Sequence, residues 1–229
     1  MCDAGQGWRY GRRTLASIVE QAVWQCGPTP ALGWHFHDEA QVMMVRSGRR
    51  RIETAHGLIV VDAGCGLILP PGLPHRSPAE SSSVDCHNLY VRCDLPFGVG
   101  RPLVFRAPED ICAAPTEIVL RRLIAAVPTG MGGPAINSIS PAASVTATAF
   151  AKGLARETYI RAFRRSVGVT PHAYRLAAML NDARSLLRAQ VPPAETAAAA
   201  GFADQSHLGR VFRRAFGITP AAYRSGFIA

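Results

Sequence analysis

The sequence offers no unbroken apolar run of about 18 residues, so no membrane-spanning helix is expected. Its first stretch, MCDAGQGWRYGRRTLAS, lacks the apolar core of a signal peptide, and the chain is expected in the cytoplasm. The six cysteines (Cys2, Cys26, Cys65, Cys86, Cys93 and Cys112) contain no C-x-x-C pair, and all lie in the first half. This argues against a zinc knuckle and against a disulfide framework; reduced thiols, mostly buried, are expected instead.

Net positive charge is scarce in the first part of the chain, where acids nearly balance the arginines, and concentrated in the last third. From Lys152 onward one lysine and eleven arginines face four acidic residues, whereas residues 1–151 carry thirteen arginines and twelve acids. Most of the net charge of +9 therefore belongs to the C-terminal third. A third of this kind either meets a polyanion or presents a solvated basic face. At 229 residues the chain is long enough for two small domains, each with its own core.

The first half reads as β structure. RRRIETAHGLIVVDAG offers two short strands about a His56-Gly57 turn, and GLILPPG and DCHNLYVRC add further apolar runs bounded by turn residues. Regularly spaced short strands predict a barrel or sandwich. EIVLRRLIAAV (117–127) has helical periodicity, and PTGMGGPAINSISPAAS reads as a flexible linker.

Beyond the linker the pattern turns helical and repeats itself. GLARETYIRAFRRSVGVTPHAY begins at Gly153 and GFADQSHLGRVFRRAFGITPAAY at Gly201. Phe163, Gly168, Thr170, Pro171 and Tyr174 recur as Phe212, Gly217, Thr219, Pro220 and Tyr223. Each copy has a helix of small residues ending in Gly, a turn, a basic helix, and Gly-x-Thr-Pro, where Thr caps a new helix and Pro fills its first position. These are the parts of a helix-turn-helix, with Ala149 and Ala197 one turn before the glycines to let the helices cross closely. In the second basic helix Leu208, Val211 and Phe212 share an inward face. Gln205, Ser206, Gly209, Arg210, Arg213 and Arg214 are left for a DNA groove. The first copy offers Glu157, Ile160, Arg161, Arg164 and Arg165 about a Tyr159 and Phe163 anchor. Between the copies, Leu176, Leu180, Ala183 and Leu187 predict one amphipathic helix over residues 172–190. Sixteen helical residues span roughly 24 Å, which would set two reading helices about 34 Å apart on successive major grooves of double-stranded DNA.

This repeat, over about residues 146–226, resembles the tandem helix-turn-helix domain of AraC/XylS-type bacterial transcription regulators, most closely at GFADQSHLGRVFRRAFGITPAAYR. The resemblance implies base-facing roles for Glu157, Ile160 and Arg161 in the first unit and for Gln205, Ser206, Gly209 and Arg210 in the second. Two departures stand out. GGPAINSISPAAS occupies the position of the family's helix ahead of the first unit, and Thr148 and Thr196 replace usual aliphatic residues.

In HFHDEAQVMMVRSG, His35, His37 and Gln41 precede Gly48. Gly64, Pro70, Gly72 and His75 follow in the pattern G-x5-P-x-G-x2-H. Together they resemble the two signatures of the cupin barrel, where three histidines and a carboxylate usually hold a divalent metal. The resemblance implies His35, His37 and His75 as metal ligands, and the same residues with Gln41 as the wall of an effector pocket. Gln41 stands where the acid is expected, and Glu39 is a reserve ligand on strand parity. The alternative is a metal-free polar pocket. Cupin-type barrels joined to AraC-type domains are usually sensors, so the resemblance implies an N-terminal barrel that binds a small-molecule effector and can form a homodimer.

The expected fold is therefore α+β and multidomain: an N-terminal cupin-like β-barrel (1–128), a linker (129–145) and an all-α tandem helix-turn-helix domain (146–229). The expected function is sequence-specific transcription regulation under a small-molecule effector. The alternative, a cupin metalloenzyme of dioxygenase or isomerase type with an accessory basic domain, lacks an acid or base at Gln41 and leaves the duplicated basic helices without a role.

Overall fold

The structure, a computed structural model, describes residues 7–12, 18–92, 101–107 and 144–227. The helical reading of 117–127, most of the linker and the segment ahead of the first turn unit lie outside these residues.

Two antiparallel sheets form the N-terminal domain. One runs in the order β1 (Arg9–Gly11), β2 (Ile18–Thr29), β9 (Glu80–Val91), β4 (Ala40–Ser47), β7 (Cys65–Leu69), β10 (Leu103–Arg106). The other runs β3 (Leu32–His35), β8 (His75–Ser77), β5 (Arg49–Thr54), β6 (Gly57–Asp62). Over residues 18–25 strand β2 alternates, with Ile18, Glu20, Ala22 and Trp24 buried and the residues between them half-buried, before its register shifts between Trp24 and Gly27. Trp24, Met43, Leu67, Leu69 and Val84 of the first sheet meet Ile52 and Val61 of the second in one core. At Gly48 and Gly72 the backbone takes positive φ of 75° and 72°, which turns the chain sharply after β4 and before β8.

The C-terminal domain comprises α1 (Val145–Ala151), α2 (Arg156–Val167), α3 (Pro171–Arg188), α4 (Pro193–Ala199), α5 (Gln205–Phe216) and α6 (Pro220–Ser225). No helix of the described residues is long and apolar enough to cross a membrane. The repeat's punctuation does its expected work. Gly168 and Gly217 end α2 and α5 in the left-handed conformation, and the Thr170 and Thr219 side chains cap α3 and α6 with proline at the start of each. Ala149 and Ala197 are buried at the two helix crossings. Thr196 is fully buried and satisfies its hydroxyl by donating to Val191 O at 3.3 Å, so it serves where an aliphatic residue is usual.

The turn in the second unit depends on Gly201, whose φ is +81°. A Cβ there would meet only Met179 Cε at 3.8 Å, so a substitution costs backbone strain and little else. Gly201→Val is expected to destabilise the chain by roughly 1–3 kcal/mol, read as a lowered melting temperature. An unchanged melting temperature would mean that the turn relaxes into another conformation.

The two domains share their cores. Leu180, Leu187, Leu208, Phe212 and Phe216 join the barrel's Trp8, Tyr10 and Leu32 in one apolar cluster. Phe36, from the loop after β3, enters the core of the first helix-turn-helix unit and stacks on Tyr174 with ring centres 5.0 Å apart. Two C-cap glycines also lie against the barrel: a Cβ on Gly168 would collide with Ala55 in the β5–β6 turn, and one on Gly217 with Trp8.

Candidate functional site

His35 and His75 face each other as a cross-strand pair of β3 and β8. His37 lies in the loop after β3 instead of on the strand, and reaches the same point because Gly72 N–H donates to the His37 carbonyl at 2.7 Å. Each histidine offers one ring nitrogen, and the three nitrogens lie within 4.8 Å of one another. All three rings are buried. His35 Nδ1–H donates to Gly33 O at 2.7 Å and His75 Nδ1–H to Leu73 O at 2.9 Å, each bond fixing a tautomer. The Nε2 atoms of His37 and His75 are buried without a hydrogen-bond partner. Burial holds all three imidazoles below their ordinary range, His75 at about 4, and the Arg184 charge adds to the effect, so the rings are neutral at pH 7. Neutral, oriented imidazoles are the donor type that a zinc-like ion takes.

Gln41 lines the same cavity as His35 and His75, with Asn88, Arg50 and Tyr90. Its amide N–H donates to Asn88 Oδ1 at 3.0 Å while its own oxygen is buried and unpartnered. The cavity measures about 20 Å³, room for about one or two waters. Glu39 is not a reserve ligand. Its carboxylate turns to Arg188, 2.9 Å away, and to Arg184, 3.6 Å away. Burial alone would raise its pKa, but Arg184 and Arg188 outweigh it and hold the carboxyl below its usual value.

These two arginines reveal what the sequence concealed. Arg184, on α3, is fully buried in the seam between the domains. Its Nη2 donates to Glu20 Oε2 at 2.6 Å and its Nη1 to His37 Nδ1 at 2.6 Å, while its guanidinium lies 4.8 Å from the Tyr90 ring centre and 5.4 Å from that of Phe216. Glu20 also accepts from Arg188 at 3.0 Å and from the Tyr223 hydroxyl at 2.6 Å. Two carboxylates and two guanidinium groups are thus taken out of water together, with charges balanced and geometry close. Phe216, the last residue of α5, sets its ring 5.2 Å from that of His35, so the second reading helix ends against the histidine cluster. Both arginines belong to the basic C-terminal third, expected either to meet a polyanion or to present a solvated face, yet they end on the barrel instead. A signal was present: Arg184 lies on the apolar face of α3, four residues after Leu180, and Glu20 sits at an inward position of β2.

The groups proposed to read DNA divide by exposure. On α5, Gln205, Ser206, Arg210 and Arg213 are exposed, Gly209 is half-buried, and Leu208 and Phe212 are fully buried. Arg214 is also exposed, but its stem passes over Gly33 of β3, where an added Cβ would lie 3.3 Å from Arg214 Cγ. On α2, Glu157, Arg161, Arg164 and Arg165 are exposed and Ile160 is half-buried, with Tyr159 and Phe163 anchoring the helix as expected. Arg164, Arg165, Arg213 and Arg214 stand in the last turns of their helices, where cations also offset the helix dipole. Of the three described cysteines, Cys86 alone is buried, with its thiol pushed up to about 11 by burial. Cys65 is half-buried and Cys26 exposed, while Cys2, Cys93 and Cys112 lie outside the described residues.

Comparison with known proteins agrees with this architecture. A family model described as a helix-turn-helix domain matches residues 147–226, and one described as an AraC-like ligand binding domain matches residues 19–109. No curated protein matches the chain. The structure of unsaturated fatty acid bound wild-type ToxT from Vibrio cholerae strain SCE256 aligns with a TM-score of 0.59 at 12% identity, over 93% of this chain and 96% of that one. A second ToxT structure from Vibrio cholerae aligns with a TM-score of 0.55 at 9% identity, over 98% of this chain and 100% of that one. At such identities the likeness shows the fold alone. A transcriptional regulator from Chromobacterium violaceum, described by its AraC-type DNA-binding domain, is 31% identical over 36% of this chain and 75% of that one, with a TM-score of 0.34.

Proposed function

Because the chain belongs to the AraC-type family of helix-turn-helix transcription regulators and carries an AraC-like ligand-binding domain, we propose that the state of its barrel is read by the DNA-binding domain through the buried seam between them. The observation that carries this reading is the placement of Arg184 and Arg188. They belong to the helix that joins the two reading units, and they end on Glu20, Glu39 and His37 of the barrel. An effector that prefers one seam arrangement over the other shifts the balance between them, and its differential affinity sets how far.

On α5, Gln205, Ser206, Gly209 and Arg210 are assigned to base edges and Arg213 to phosphate. On α2, Glu157, Ile160 and Arg161 are assigned to bases and Arg164 and Arg165 to phosphates. Arg214, lying over Gly33, is assigned to the seam as much as to DNA. The effector pocket is assigned to His35, His37, Gln41 and His75, of which His35, Gln41 and His75 wall a cavity of about 20 Å³ that suits a very small ligand, while His37 is not among its lining. As a donor set His35, His37 and His75 suit a divalent ion of zinc type, which would supply an electrophilic anchor for a small ligand. Homodimerisation through the barrel and action in the cytoplasm belong to the same proposal. The metalloenzyme reading is disfavoured because, among the described residues, no carboxylate joins the three histidines and Glu39 is held by the two arginines.

Arg210→Ala tests the reading. Fluorescence anisotropy of the full chain on DNA from upstream of its own gene is expected to show a loss of roughly 1–3 kcal/mol with this variant, and a much smaller loss on random DNA. Equal losses on both would move Arg210 from base contact to phosphate contact.

A further inference from the structure

The three histidines are not protonated alike. A backbone carbonyl only accepts, so His35 and His75, whose Nδ1 atoms lie 2.7 Å from Gly33 O and 2.9 Å from Leu73 O, carry their protons on Nδ1 and keep lone pairs on Nε2. His37 is reversed. Its Nδ1 lies 2.6 Å from Arg184 Nη1, and a guanidinium only donates, so Nδ1 is the acceptor and the proton of the neutral ring sits on Nε2, which has no partner.

A metal ion takes the lone pair of one nitrogen from each ring. Bound to His37 Nδ1, it would compete for the electron pair that Arg184 already holds. Bound to His37 Nε2, it would require the proton there to leave and Nδ1 to gain one. An N–H would then face the N–H of Arg184 with no acceptor between them. Both routes exclude Arg184 from its present position.

Resting on the regulator reading above, we propose that coordination of a divalent transition-metal ion by His35, His37 and His75 and the docking of Arg184 on His37 are mutually exclusive, so that the ion unlatches the DNA-binding domain from the barrel. The cavity that His35 and His75 line, although His37 does not, is about 20 Å³, room for a water or two beside the ligand nitrogens but not for an organic effector of many atoms. The groups around the latch couple it to the reader. Arg184 shares Glu20 with Arg188 and Tyr223, so its withdrawal loosens contacts made by both α3 and α6. It also uncovers one face of Phe216, at the end of α5.

The test uses the full chain, zinc chloride as the probe, isothermal titration calorimetry and hydrogen exchange. Wild type is expected to bind one zinc per chain and His75→Ala none. On zinc binding, amides of 181–188 and 18–24 should exchange faster, by on the order of tenfold, as one charge-assisted contact is lost. Arg184→Met should bind zinc about tenfold more tightly, since no guanidinium competes; if that variant does not fold, the exchange measurement on wild type still decides. Zinc binding with unchanged or slower exchange in these segments would overturn the latch, and so would an absence of zinc binding at His75. Failure of the chain to prefer its own upstream DNA would sink the regulator reading while leaving the exchange result intact.

Discussion

Replacing Arg184 with methionine is expected to lower the free energy of unfolding by about 3–5 kcal/mol. The side chain is fully buried, and its removal leaves Glu20 and Glu39, both buried as well, with Arg188 as their one remaining cation among the described residues. The loss measures the penalty for stranding a carboxylate away from water rather than the net worth of the ion pair. Adding Glu20→Gln should therefore recover part of it, which a double-mutant cycle on thermal melts would show. A loss below about 1 kcal/mol, as for an exposed pair, would mean that the seam is wet in solution and that the domains separate readily.

A comparable effect is expected from Phe212→Ala, at about 3–5 kcal/mol for a large aromatic truncated in a closed core. Phe212 is fully buried, with the Phe216 ring centre 4.6 Å away and that of Tyr223 5.2 Å away. Those neighbours reach the His35 ring and Glu20 respectively, so the cavity opens at the base of the reading helix and beside the seam. Urea unfolding is expected to show a lowered midpoint at similar slope, with specific DNA binding lost at temperatures where the variant has melted. Phe163→Ala, the matching change in the first unit, should cost less, because Phe163, though buried, keeps 8% of its surface accessible where Phe212 keeps none. Equal losses at the two positions would show that the first unit is as tightly built as the second.

The repeated unit was legible because its signals are local. A glycine that must turn left-handed, a threonine that caps and a proline that starts a helix act within a few residues, and they hold at Gly168, Thr170 and Pro171 as at Gly217, Thr219 and Pro220. The histidine cluster was legible in its membership but not in its local geometry, since His37 arrives from a loop tied to Gly72 and not from the strand of His35. Strand β2 went unread because Glu20 interrupts an otherwise apolar inward set of Ile18, Ala22 and Trp24. That carboxylate is tolerated inside because Arg184, 164 positions away in sequence, comes to meet it. Periodicity reports which face of an element is inward, and composition reports charge. Neither reports which distant cation will face a buried anion, and so the seam, the feature that ties sensor to reader, became visible only in three dimensions.

Above all, this chain is a sequence-specific DNA reader. The most direct measurement is anisotropy of the full chain on a labelled duplex from upstream of its own gene and on a scrambled duplex, titrated at several salt concentrations. The expected result is a preference of about a thousandfold or more for the upstream duplex, with affinity on the scrambled duplex falling steeply as salt rises. Equal affinity and equal salt slopes on the two duplexes would contradict it, reducing the arginine-rich helices to a general polyanion surface.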